Sequence, residues 1–260
     1  IRDAYVYQGE YSVFRGRRHG APPTNCRPEQ FIVFSQNHDQ VGNRLGGTRL
    51  SHLVSFEAAK LAAACVLTSQ YIPMLFMGEE YAESAPFLFF VDHPDADLCD
   101  AVRRGRKQAM EAFCWAETPE DPADPATFEK SMIAWEKRES GRHAVMLSYY
   151  REIIRLRAML PALGKPGGLL GAGPIGDDGV VFLRRGRGGS EAVVLFNFAE
   201  TAVDAALPAP DGAWRKRLDS SDVRWSGPGS RIPELVTRGS PISLNPHCAV
   251  VFEKTAAGGA

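Results

Sequence analysis

His38 and Asp39 stand side by side in FIVFSQNHDQVGNR, Phe31 to Arg44, where a strand-like apolar block gives way to polar residues. Asn37, Gln40, Asn43 and Arg44 surround the pair. So dense a set of donors and acceptors suits a polyhydroxylated ligand: the aspartate can hold a developing positive charge or ligand hydroxyls, and the histidine can donate to a sugar oxygen. The competing reading is a loop whose Asn and Asp cap local backbone.

Other groups that could do chemistry carry less. Glu79 and Glu80 are paired carboxylates, but in an extended segment neighbours point to opposite faces, so they are not expected to form a facing acid/base pair; one of them can brace the site. The run AVRRGRK reads as a solvated helix face before it reads as a phosphate site. Phe87, Phe89 and Phe90 are either core packing or a stacking wall at a strand end. His19, His52, His93, His143 and His247 lie far apart without metal-ligand spacing.

The elements that must position these residues alternate. Phe31 to Gln36 is fit for a strand buried on both faces, as in a parallel sheet. SFEAAKLAAACVLTSQ then predicts a helix with Ser55 as its N-cap. YIPMLFMG gives a second buried strand, and ADLCDAVRRGRKQAMEAF a second helix with charges on one side. That order belongs to an α/β barrel or a doubly wound sheet, whose functional loops lie at the carboxyl ends of the strands. Cys114 to Lys130 is rich in proline and acids and reads as a loop, and HAVMLSYYREIIRLRAML predicts a long helix ending before Pro161. From Gly167 onward the runs GVVFLRR, AVVLFNF, AWRKRL and CAVVFEK are short and β-rich, with GRGGSE as a hairpin turn between two of them. They predict a separate all-β domain with a frayed tail.

Composition excludes several classes. With 30 basic against 31 acidic residues and a net charge of −1, no global field favours nucleic acid or an anionic membrane. The most apolar stretch, Ala58 to Met77, is broken by Lys60, Ser69, Gln70 and Pro73, which argues against a membrane span, and no signal peptide is visible. The five cysteines (Cys26, Cys65, Cys99, Cys114, Cys248) are scattered and lack C-x-x-C spacing, so reduced thiols and a cytoplasmic setting are expected. The chain begins with Ile1, with no leader character after it, and is expected to be a piece of something longer.

QNHDQVGNR, taken with YIPMLFMGEEYAESAPFLFF and VYQGEYSVFRGRRHG, resembles the α-amylase superfamily and, within it, the maltooligosyltrehalose trehalohydrolases. NHD after an apolar strand is the general signal; its extension and the LFMGEE strand are the more specific ones. The resemblance runs from Tyr5 to about Leu163 and implies the C-terminal part of a (β/α)8 TIM barrel followed by a small all-β sandwich. Phe31 to Gln36 would be the seventh strand and Tyr71 to Met77 the eighth. The division it implies is 1–115 for barrel, 116–164 for a loop and long helix completing it, and 165–256 for the sandwich.

By the same resemblance Asp39 matches the third carboxylate, the transition-state stabiliser, and His38 the sugar-binding histidine, with Asn37, Gln40 and Arg44 lining the pocket. Arg104 stands where a glutamate is expected. The substrate implied is maltooligosyl trehalose or a related α-glucan, with no metal or organic cofactor. A retaining glycosidase also needs a nucleophile and a general acid roughly 5 to 5.5 Å apart. In this family they come from the fourth and fifth strands, which the chain lacks, so alone it is expected to be inactive and to fold poorly. A branching or debranching enzyme and a non-catalytic carbohydrate-binding fragment remain the alternative readings.

Overall fold

The computed structural model describes residues 2, 3, 5, 7–112 and 120–255, the side chains of 110–112 excepted, so Cys114 and the expected frayed tail beyond Thr255 lie outside the described residues. Strands β1 (Gln8–Ser12) and β2 (Arg17–Gly20) form an antiparallel hairpin, and β3 (Ile32–Val33) leads toward two short helices, α1 (His38–Gly42) and α2 (Leu50–Leu53). Next come α3 (Phe56–Thr68), β4 (Ile72–Pro73), α4 (Ala96–Ala112), α5 (Pro125–Lys130), α6 (Gly141–Met159) and α7 (Pro161–Gly164). The β-rich remainder comprises β5 (Leu169–Ile175), β6 (Val180–Arg187), β7 (Ser190–Asn197), β8 (Val203–Ala206), β9 (Ala213–Asp219), β10 (Leu235–Thr237), β11 (Pro241–Leu244) and β12 (Cys248–Lys254). Two compact units interleave along the chain. One takes the described residues of 1–33, 60–74 and 149–260, the other 34–59 and 75–148.

In the first unit β3 and β4 pair in parallel, Ile32 opposite Ile72 and Val33 opposite Pro73, through Ile72 N to Phe31 O at 3.1 Å and Met74 N to Val33 O at 2.9 Å. The expected strands over Phe31–Gln36 and Tyr71–Met77 are thus only two residues long each. Pro73 has no N–H to offer a strand on the side of β4 away from β3, and among the described residues each strand has a single neighbour. Nor are they buried on both faces: Ile32 is 58% and Ile72 38% exposed.

The same unit holds a six-stranded antiparallel sheet, in the order β10-β9-β12-β7-β6-β5, and a β8–β11 pair. Val193, Leu195, Val250, Phe252 and Trp214 from the larger sheet share one core with Ile242 and Leu244 from the smaller. Gly188 and Gly189, at φ of 56° and 83°, form the two-residue turn joining β6 to β7. Positive φ at both centres is what the right-handed strand twist demands, and glycine adopts it without steric cost.

Helix α3 starts as its sequence predicts, with Ser55 Oγ accepting from Ala58 N at 3.1 Å. Its far end is closed by arginines distant in sequence. Arg157 donates to Leu67 O, Ser69 O and Tyr71 O. Arg185, fully buried, reaches Thr68 O, Ser69 O, Leu163 O, Lys165 O and Gly167 O at 2.5–3.3 Å. Carbonyls at a helix C-terminus have no intrahelical donor, and a guanidinium with five N–H groups can satisfy several at once. Burial, with Arg157 and Arg187 nearby, pushes the Arg185 pKa down to about 10, so it remains a cation at neutral pH. Lys60, buried on α3, donates to Ser220 O at 2.6 Å and Trp225 O at 3.0 Å, which attaches the helix to the turn after β9.

No helix among the described residues is long and apolar enough to cross a membrane. Cys26, Cys65 and Cys99 are free thiols, and burial pushes the Cys65 thiol up to about 12. Arg185→Met should destabilise the protein by about 3–5 kcal/mol, because it strands buried carbonyls rather than merely removing a charge. Urea unfolding at neutral pH measures this, and a loss below about 1 kcal/mol would contradict the role given to Arg185.

Candidate functional site

Asn37 is the N-cap of α1. Its Oδ1 accepts from Asp39 N at 2.7 Å, and Gln40 Oε1 accepts from Asn37 N at 3.0 Å, a reciprocal capping box. His38 and Asp39 are therefore on the first turn of a short helix and not in a loop. The capping reading holds for Asn37 and Gln40, each of which commits an oxygen to the turn. His38 Nε2 lies 3.4 Å from Asp39 Oδ1, with the two side chains 70% and 67% exposed. A carboxylate and an imidazole held together and open to solvent can meet the hydroxyls of an incoming ligand. Arg44 follows on the next turn, its N–H donating to Val41 O at 3.2 Å, and it lines a small hollow with Phe89, Arg106 and Glu120. Asn37, His38, Asp39 and Gln40 thus share one turn, with Arg44 on the neighbouring one.

What holds that turn is buried. Gln36, just before the cap, accepts from Leu50 N at 2.9 Å and donates toward Glu79 Oε2 at 3.4 Å. Glu79–Tyr81 is a 3-10 turn behind Gly78, whose φ is 85°. Glu79 and Glu80 therefore do not lie on opposite faces of an extended segment; Gly78 bends the chain there, and a Cβ on it would meet Glu83 Cβ at 2.8 Å. Glu79 is buried and touches Gln36, a bracing contact.

Arg49 and Glu83 fix the same loop from two sides. Arg49, 1% exposed, donates to Met77 O and Ala85 O, each at 2.7 Å, with its guanidinium carbon 5.1 Å from the Phe76 ring centre. Glu83, fully buried, accepts from Ser84 N, Ala85 N, Ala134 N and the Tyr81 hydroxyl at 2.6–2.8 Å. Lys137 Nζ stands 3.4 Å from the carboxylate. Burial alone would raise the Glu83 pKa, but the N–H groups of Ala85 and Ala134, the Tyr81 hydroxyl and Ser84 N outweigh it and bring it to about 2.

Phe87 meets Phe76 and Phe90 edge to face, and Phe90 meets Phe128, so these rings form a half-buried aromatic cluster with Phe128 at its exposed edge. Phe89 differs: it is 39% exposed, with Arg106 over its ring. In the basic run, Arg103 is a solvated ion-pair former with Asp100 and Asp121, and Arg104 is exposed. Arg106 breaks the expected pattern by turning inward onto α1. Among the described residues no cluster of His, Cys, Asp and Glu could hold a metal ion.

Residues 167–247 match a family model described as "Domain of unknown function (DUF3459)". Over 239 residues, 90% of the chain, it is 40% identical to malto-oligosyltrehalose trehalohydrolase from Rhizobium sp. (strain M-11). The chain resembles the trehalohydrolases. The corresponding enzyme from Brevibacterium helvolum is 43% identical over 64% of the chain, and that from Deinococcus radiodurans 36% identical over 86%. The chain spans 39%, 29% and 38% of the length of these three trehalohydrolases. Among solved structures, a putative α-amylase from Salmonella typhimurium superposes with a TM-score of 0.75 at 34% identity, over 96% of this chain and 39% of that one. An isomaltulose synthase from Protaminobacter rubrum shares the fold, with a TM-score of 0.51 at 19% identity, over 86% of this chain and 43% of its own.

The Glu83 network carries a pH signature. Its folded pKa of about 2 lies below the ordinary 4.5, so its contribution to stability is full above pH 4.5 and is lost as pH falls toward 2. On the order of 3 kcal/mol should disappear across that window. Glu83→Gln should flatten this part of the profile and lower stability at neutral pH, as read by urea unfolding at a series of pH values. A variant with the wild-type acid profile would show that Glu83 is not the group responsible.

Proposed function

We propose that this chain is the C-terminal part of a retaining α-glucan hydrolase that cleaves the α-1,4 bond next to the trehalose end of maltooligosyl trehalose and releases trehalose. The observation that carries the reading is the exposed His38–Asp39 pair, on a capped turn that follows β3 in the chain, in a chain 40% identical to a trehalohydrolase over 90% of its length. Asp39 stabilises the oxocarbenium-like transition state, and His38 hydrogen-bonds the reacting glucose. Asn37, Gln40 and Arg44 line the same pocket. The nucleophile and general acid, needed roughly 5 to 5.5 Å apart, come from parts of the protein outside this chain. In this reading β3 and β4 are the seventh and eighth strands of a (β/α)8 barrel, and the six-stranded and two-stranded sheets form a C-terminal sandwich. The reaction needs neither metal nor organic cofactor, proceeds in the cytoplasm, and does not involve this chain acting alone.

Incubating the full-length protein with maltooligosyl trehalose should release trehalose, and the shortened maltooligosaccharide should appear first as its α-anomer, as retention requires. Glucose or maltose without trehalose would overturn the substrate assignment, and transfer to a new α-1,6 branch would favour a branching enzyme. Residues 1–260 expressed alone should show no turnover of the same substrate.

A further inference from the structure

Helix α1 is little more than one turn, so its last carbonyls need donors from elsewhere. Arg106 on α4 supplies one of them, to Gly42 O. One end of its guanidinium donates to Gly42 O and another to Asn43 Oδ1, while its central carbon lies 4.7 Å from the Phe89 ring centre. The Asn43 backbone N–H donates in turn to Asp39 O at 3.1 Å. The side chain of Arg106 is thus connected through Asn43 to the backbone of Asp39. Arg103, a turn away on α4, pairs within the helix with Asp100 and beyond it with Asp121, a solvent-exposed contact to the segment before α5.

A direct ligand contact is the competing role for this cation. The donors and face of the Arg106 guanidinium are already engaged by Gly42 O, Asn43 Oδ1 and the Phe89 ring, so the cation is turned onto α1 and not outward. The geometry points to Arg106 as a positioning residue that orients the turn carrying Asp39, a role that rests on the assignment of Asp39 to the transition state of glucan hydrolysis. Arginine suits it because its planar fork can grip a carbonyl and an amide oxygen together while stacking on an aromatic face, which an ammonium cannot do.

The test compares full-length wild-type protein with Arg106→Ala and Arg106→Lys, reading hydrogen exchange over residues 38–44 and turnover of maltooligosyl trehalose. In Arg106→Ala, exchange over 38–44 should rise by about tenfold or more, and kcat should fall about 10- to 100-fold while KM stays within about threefold. Arg106→Lys should recover only part of the loss. Guanidinium ion at millimolar concentration, well below denaturing levels, should restore part of kcat to Arg106→Ala, whereas urea at the same concentration should not. Unchanged exchange in Arg106→Ala overturns the proposal whatever the kinetics. So does faster exchange with unaltered kcat, or a loss confined to KM. A wild-type protein without turnover contradicts the hydrolase assignment instead, and the exchange comparison then still decides whether Arg106 fixes the turn.

Discussion

The loop between Phe76 and Ala85 is clamped by two buried side chains of opposite charge. Arg49 takes the carbonyls of Met77 and Ala85, and Glu83 takes the amides of Ser84, Ala85 and Ala134. Each charge is costly to bury and is tolerated because it satisfies backbone groups that would otherwise be stranded. The clamp also fixes what lies beside it. Glu79 reaches Gln36 at the threshold of α1, and Gly47 O accepts from Phe87 N at 2.9 Å, so the chain on either side of the polar turn is hydrogen-bonded to the clamped segment or to the residues just after it. Rigid support of this kind lets solvent-facing side chains keep a defined direction.

That support matters because the pair itself is wet. At about 4 Å a carboxylate and a full positive charge attract by only about 1 kcal/mol in water, against about 4 kcal/mol at an effective dielectric of 20. Asp39, two-thirds exposed, stands nearer the first regime. In the proposed hydrolase, its value as a charge stabiliser would depend on a ligand and the rest of the protein displacing water from it. Fixing the turn and drying it are separate tasks, and the residues of this chain account for the first.

Short-range features were legible in the sequence where one local interaction decides them. Ser55 at the start of α3 and Gly188–Gly189 between β6 and β7 are such cases. Asn37 and Gln40 carried an equally local signal, an N-cap with glutamine three residues on, although the polar run read more naturally as loop. Contacts that depend on distant segments were not legible. Arg157 and Arg185 close α3 from far along the chain, and Glu83 gains its low pKa partly from Ala134 N. Arg106 was hidden in a run of like charges, where only the register of α4 distinguishes the residue facing α1 from its solvated neighbours. The brevity of β3 and β4 was not legible: the N–H groups of Ile72 and Met74 serve the pairing, the N–H that Pro73 lacks would face the other side of β4, and among the described residues neither strand has a further neighbour.

The central claim is that Asp39 acts on the transition state and not on ground-state binding. Steady-state kinetics of Asp39→Asn in the full-length protein, acting on maltooligosyl trehalose, tests it most directly, since the amide keeps the shape and removes the charge. The account predicts that kcat falls by about 10³-fold or more, with KM nearly unchanged and the unfolding midpoint preserved. A kcat within about threefold of wild type, or an effect confined to KM, would contradict it.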